Sequence, residues 1–198
     1  LFLTSDHGAA EVPSFLMDID APGGYVQKNM FEPLYATLKA KYGVSDLIKN
    51  ISNEQIFLNS DRIKSQQLDL VEVQEFIVNE IITYTAVSKA YTAATMQTSY
   101  FKDGIEKTLQ NGYNQKLSGD VLFTLKSGVI AYGPKGTTHG SGYTYDTHVP
   151  LLFYGNGIRQ GKTFARTNVT DVAPTVAALL GIAFPSGSTG TVIEKAID

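Results

Sequence analysis

Two hydrophobic periods alternate along this chain, and that alternation constrains its fold more than any other feature. Leu70, Val73, Phe76, Ile77 and Ile81 recur at three- and four-residue intervals with charged residues between them. This is the stripe of a helix with one buried face, and it predicts a helix over 69–84. Met30, Phe31, Leu34 and Leu38 repeat the spacing over 30–42, and Gly43 follows as a stop. Between such stretches lie short apolar runs of strand character at 1–4, 56–58, 87–92 and 121–125, with a return over 128–133, and a last run at 149–154. A second long helix is expected over 95–113, and another opens at Asn168, passes Pro174 and stops at Gly181. Strands alternating with helices give an α/β class, a mixed sheet flanked by helices.

The 198 residues are 43% hydrophobic and 18% charged, ordinary globular values that suit one α/β domain over 1–198 and are short for two. A net charge of −3, with no Lys/Arg cluster, excludes nucleic-acid binding, which needs a basic stripe to meet phosphates. The absence of cysteine removes thiolate zinc sites, thiol catalysis and disulfides. No apolar run approaches the roughly 20 residues that span a bilayer, so no membrane span is expected. Leu1-Phe2-Leu3-Thr4 reads as the middle of a buried strand, so the sequence is expected to be the C-terminal portion of a longer domain. An exposed sheet edge in such a portion would offer a route to self-association.

The chemistry available to the chain centres on its three histidines, His7, His139 and His148. His7 follows Asp6 where the first strand ends, and Gly8 lets the backbone turn there. Successive strand residues point to opposite faces, so an Asp-His pair can share one region only at such a turn. Carboxylate oxygen and imidazole nitrogen are both zinc donors. Lys135 to Tyr145 is nearly all Gly, Thr, Ser and Tyr and is expected to be a loop; His139 lies within it in the run Gly136-Thr137-Thr138-His139-Gly140-Ser141-Gly142, where small neighbours leave an imidazole open to close approach. Asp146 and His148, just before the strand at 149–154, could orient each other or a ligand. Read alone, each cluster also fits a plain surface turn with an ordinary histidine. Glu11 near the Asp-His pair and Lys135 beside the glycine loop fit solvated side chains better than a site. Tyr143, Tyr145 and Tyr154 fit packing. No nucleophile elbow, phosphate-binding glycine loop or dinucleotide fingerprint is present.

Taken together and in order, the clusters are far more specific. Leu1 through Gly8 resembles the strand and Thr-x-Asp-His-Gly turn of the alkaline phosphatase superfamily. Thr137-Thr138-His139-Gly140-Ser141 and Tyr145-Asp146-Thr147-His148-Val149-Pro150, running on to Gly155, resemble a late segment of the same superfamily. Asn168 through Ile182, with Pro185 and Ser188-Thr189-Gly190 beyond, resembles its final helix. The likeness covers essentially the whole chain and is nearest the type I phosphodiesterase/nucleotide pyrophosphatase branch, within it the PafA-like bacterial alkaline phosphatases.

The resemblance implies an alkaline-phosphatase-like fold, of which this is the C-terminal part, and a centre of two Zn²⁺ ions. Asp6 and His7 carry over to one ion and His139 to the other, with His148 and Asp146 in supporting positions. The Thr or Ser nucleophile, further Asp and His ligands and the Asn, Lys and Arg groups that hold phosphoryl oxygens lie upstream in that family. None of them is in this sequence. The implied activity of the longer protein is zinc-dependent hydrolysis of small phosphate monoesters through a phospho-Thr or phospho-Ser intermediate, while this portion alone is expected to be inactive. A phosphodiesterase or nucleotide pyrophosphatase with the same metals is the alternative, and a non-catalytic scaffold is a second. A sulfatase fits less well, because that branch uses calcium and a modified Cys or Ser. Bacterial members of the branch are mostly exported, which implies a periplasmic or secreted protein.

Overall fold

A computed structural model describes residues 1–133 and 135–197. Phe2–Leu3 forms β1, Pro13–Asp18 α1, Gly24–Tyr25 β2 and Glu32–Tyr42 α2. A hairpin of β3 (Ile48–Ser52) and β4 (Gln55–Leu58) leads to α3 (Ser60–Ser65), α4 (Leu70–Ile81) and β5 (Val87–Thr92). Then come α5 (Ala93–Thr98), α6 (Gly104–Gly112), β6 (Val121–Leu125) and β7 (Val129–Ile130). The order closes with α7 (Thr144–Thr147), β8 (Leu152–Phe153) and α8 (Val172–Leu180), plus single 3-10 turns at Val169–Asp171 and Glu194–Ala196. The chain divides into two compact units, His7–His148 and, separately, Leu1–Asp6 with the residues from Val149 on. No linker composition marks this division, because the smaller unit is made by pairing segments far apart in sequence.

In the larger unit, four strands form a sheet in the order β3-β4-β6-β5, each neighbouring pair antiparallel. A separate parallel pair joins β2 to β7. Parallel and antiparallel pairing therefore both occur, in different sheets. The apolar stripes of α2 and α4 supply Leu34, Leu38, Val73, Ile77 and Ile81 to a core completed by Ile56, Val121, Phe123 and Leu125 from the strands. All of β6 is buried, which is why Val121–Leu125 is apolar on both faces apart from Thr124 instead of alternating. The helix ends follow local chemistry. The Asp69 side chain accepts the Glu72 amide at 3.0 Å to start α4, and Gly43, at φ +74°, ends α2 in the left-handed conformation. The turn between β3 and β4 is made by Asn53 and Glu54, at φ +49° and +58°, as a two-residue hairpin loop requires.

In the smaller unit, β1 and β8 pair antiparallel, Phe2 opposite Phe153 and Leu3 opposite Leu152. A reciprocal capping box at Asn168 and Asp171 starts the last helix, and Gly181 at φ +63° ends it. Thr175, fully buried, accepts the Ile193 amide at 2.9 Å and ties the C-terminal strap to α8.

Three expectations are corrected. The helix expected over 95–113 is two helices, because 99–103 is extended. Gln110 bridges the break: its amide donates to the Met96 and Ser99 carbonyls, and its oxygen accepts the Phe101 amide at 3.2 Å. The strands expected at 1–4 and 149–154 shrink to β1 and β8 and are not buried, with Leu1 90%, Leu152 54% and Tyr154 77% exposed. Among the described residues each pairs only with the other, which leaves these side chains exposed. The glycine-rich run to Tyr145 is not all loop, since α7 begins at Thr144.

Candidate metal centre

His7 and Gly8 open the larger unit, and their backbone is laid against the segment 137–146 by a short ladder. The Gly8 amide donates to the Asp146 carbonyl at 2.8 Å and the Ala10 amide to the Thr138 carbonyl at 3.1 Å. The Thr137 hydroxyl donates to the Ala10 carbonyl at 2.5 Å. This contact is possible only because residue 8 has no side chain. A Cβ there would sit 2.0 Å from the Tyr145 carbonyl oxygen. Gly140, at φ +114°, turns the chain sharply just after His139 in a conformation that disfavours other residues.

The ladder stacks the imidazoles of His7 and His139, with centroids 3.5 Å apart and planes inclined by 12°. The His7 Nδ1 lies 2.6 Å from the Gly8 carbonyl oxygen. A carbonyl can only accept, so Nδ1 carries a proton, and in the neutral ring the lone pair is on Nε2. That is the tautomer a metal-ligating histidine needs, held by a backbone acceptor.

Asp146 enters the cluster from α7, with only 4% of its surface exposed. Its Oδ2 accepts the Ser141 amide at 2.7 Å and the Ser141 hydroxyl at 2.6 Å, closing the turn over 141–146 and anchoring the chain two residues beyond His139. Through its own carbonyl it also holds Gly8. Asp146 thus bonds both strands of the ladder. Its partner is Ser141, whose role the sequence did not suggest. His148 follows α7 as an exposed residue, its amide bonded to the Thr144 carbonyl at 2.9 Å, and among the described residues no hydrogen bond joins its ring to Asp146.

The remaining sequence candidates have local duties. Asp6, the last residue of the smaller unit's first segment, accepts the Ser5 hydroxyl at 3.3 Å. Glu11 accepts the Val12 amide at 2.8 Å. Lys135, exposed at φ +67°, donates its amide to the Tyr25 hydroxyl at 3.0 Å. Tyr143 donates to the Leu125 carbonyl, Tyr145 accepts the Gly128 amide, and the two rings stack 5.5 Å apart, which is packing.

One residue absent from the sequence reading belongs with these groups. A cavity of about 440 Å³ within the larger unit is lined by Glu54, Asp146, His139 and Ser141, among others. Burial pushes the Glu54 carboxyl up to about 7; the Asp146 carboxylate adds to the rise and a hydrogen bond from the Leu125 backbone opposes it. Sequence offered no signal for this, because Asn53-Glu54 is an ordinary hairpin turn until β6 brings its neighbours around it.

As a metal centre the arrangement is partial. Among the described residues, no group of three or more His, Asp or Glu side chains is close enough to hold an ion. The two converging imidazoles, one with its tautomer set for coordination, fit part of a zinc shell and not a complete one.

The chain is 36% identical over its full length to alkaline phosphatase PafA of Elizabethkingia meningoseptica, covering 36% of that protein. It is 36% identical to a calcium-transporting ATPase of Myroides odoratus, over 100% of the chain and 37% of that protein. Alkaline phosphatase PhoV of Synechococcus elongatus is 35% identical over 98% of the chain and 35% of its own length. The crystal structure of wild-type PafA superposes with a TM-score of 0.90 at 35% identity, covering 100% of the chain and 38% of PafA. No protein-family profile matches. The chain thus spans little more than a third of the length of the relatives it matches. Shared sequence and shared fold over its full extent place it with the PafA-like members of the alkaline phosphatase superfamily.

Proposed function

We propose that the protein to which this chain belongs hydrolyses phosphate monoesters with a zinc centre, to which this chain contributes Asp6, His7 and His139. The observation that carries the reading is the close stacking of the His7 and His139 rings, two zinc-donor side chains from distant parts of the sequence. The alkaline phosphatase names of two relatives support the reaction class. Zinc supplies Lewis-acid stabilisation of phosphoryl charge and lowers the pKa of bound water.

The chain's own residues hold and orient. The Gly8 carbonyl holds the proton on His7 Nδ1, leaving Nε2 as donor. Asp146, through Ser141 and Gly8, keeps the two histidine segments in register. Asp6, adjacent to His7, brings carboxylate charge to the same ion, and His139 serves the other. The Thr or Ser nucleophile of a phospho-enzyme and the groups that grip phosphoryl oxygens are not among these residues, so the isolated chain is expected to turn over nothing. Export to the periplasm or beyond is part of the same reading, on the habit of the bacterial branch.

The test is His139→Ala in the full-length protein, with zinc per chain by mass spectrometry and rates on p-nitrophenyl phosphate, its bis-ester and ATP. Loss of bound zinc together with loss of monoesterase rate is expected. Unchanged zinc and rate reject the assignment, and a wild-type preference for the bis-ester moves the reading to a phosphodiesterase. ATP is included because one relative carries an ATPase name.

A further inference from the structure

We propose that Asn156 is a site of covalent modification, where the side-chain amide is lost to attack by the Gly157 backbone nitrogen and an aspartate or isoaspartate takes its place. Asn precedes Gly at two positions, Asn111-Gly112 and Asn156-Gly157. The attacking nitrogen belongs to the following residue, and a residue without a Cβ obstructs the approach least and turns most freely. The fold puts these two sites under opposite conditions.

Asn156 lies exposed in the smaller unit, in the turn that follows β8. Glycines flank it, Gly155 at φ +142° and Gly157 at φ +75°, and the Ile158 amide closes the turn on the Gly155 carbonyl at 3.3 Å. Among the described residues no hydrogen bond holds the Asn156 side chain or the Gly157 amide, so neither the leaving group nor the nucleophile is tied. Asn111 and Gly112 are instead the last two residues of α6. Helical dihedrals are fixed and direct each amide along the axis, towards the carbonyl four residues back, so attack there requires the helix end to open first.

The reaction needs only water. The Gly157 nitrogen bonds to the Asn156 side-chain carbonyl carbon, the bond from that carbon to the amide nitrogen breaks, and ammonia leaves with the proton of the Gly157 amide. Water then opens the cyclic imide at either carbonyl. Both products carry a new carboxylate, and the isoaspartate product also carries an extra carbon in the main chain. The change bears on the C-terminal strap. The same turn delivers Ile158 to its antiparallel bridge with Ile197, and the Arg159 amide to the Ala196 carbonyl at 3.1 Å. A lengthened turn displaces both contacts.

The test ages full-length protein in heavy-oxygen water at mildly alkaline pH, with a parallel sample unfolded in urea, and maps the peptides by mass spectrometry. The isotope marks only acid formed during the incubation. Folded protein is expected to gain labelled acid at Asn156 several-fold faster than at Asn111, and urea is expected to bring the two rates together. Asn156→Gln, which would have to close a larger ring, should stay unlabelled at that position. In the aged fraction, hydrogen exchange at the Arg159 amide should quicken several-fold. Folded protein that labels Asn111 as fast as Asn156, or labels neither while the urea sample labels both, overturns the proposal. A rate difference that persists in urea also overturns it, because the sequence and not the fold would then set it. Unchanged exchange at Arg159 in the aged fraction overturns the link to the strap.

Discussion

Gly8→Ala is the substitution on which the site's architecture makes its sharpest demand. The added Cβ would lie 2.0 Å from the Tyr145 carbonyl oxygen and 3.0 Å from its carbon, backbone atoms that cannot swing aside. Contacts of a Cβ essentially never fall below 3.0 Å, so residue 8 and the 145–146 backbone must part by about 1 Å. A displacement of that size stretches the 2.8 Å bond from the Gly8 amide to the Asp146 carbonyl beyond hydrogen-bonding range. Losing that bond costs about 1–3 kcal/mol, and residual crowding adds about 1–3 kcal/mol. His7 is the neighbouring residue and moves with the backbone. A misplacement of about 1 Å is enough for a hundredfold loss of rate where geometry is held tightly. The assay is urea denaturation of the full-length variant together with zinc content and phosphatase rate. The control is Gly112→Ala, at the end of α6, where an added Cβ meets nothing within 4 Å. That change is expected to be neutral or stabilising by about 0.5–1 kcal/mol. A Gly8→Ala protein with wild-type stability and wild-type zinc would refute the claim that this close approach sets the histidine pair.

Other outcomes follow from the same structure. Ile77→Ala opens a cavity at a fully buried position of α4 and should cost about 2–5 kcal/mol, read from the shift in denaturation midpoint at constant slope. Ser141→Ala removes the hydroxyl that donates to Asp146 at 2.6 Å, and a loss of about 1–2 kcal/mol is expected, with zinc affinity falling more than the stability change alone explains. The Glu106 carboxyl is held down to about 2, first by the Lys89 ammonium, then by its own backbone amide and the Tyr91 hydroxyl. Because its folded pKa lies below the ordinary value of 4.5, its contribution is complete above that pH and is lost as pH falls from 4.5 towards 2. Partial exposure, 41% for Lys89 and 21% for Glu106, limits that contribution to about 1 kcal/mol. Glu106→Gln should therefore be less stable than wild type at pH 7 and match it near pH 2, measured by denaturation at each pH.

The elements best read from sequence are those whose signal is local. α4 forms within the stretch marked by its apolar stripe, β5 spans the expected residues, and Gly43 and Gly181 stop their helices as glycines that accept the left-handed conformation. A helix stripe and a stop are properties of a few adjacent residues, so their physics is complete in the chain. The helix expected over 95–113 failed for the converse reason. Its interruption depends on Gln110 reaching back to Met96 and Ser99, a choice no local propensity contains. Burial of the end strands was also misjudged, since an apolar run reports what a strand prefers to face and not whether a neighbour is there.

The candidate site divides along the same line. Residue type alone determined that any metal here would be met by carboxylate and imidazole, and the order of the clusters was enough to recognise the family. Sequence could not bring His7 to His139, because that contact spans most of the chain and depends on a glycine narrow enough to pass a carbonyl. Nor could it show that Asp146 turns to Ser141, or that Glu54 faces the same cavity. Those facts arise when distant backbones settle their hydrogen bonds against each other, and only the folded chain settles them.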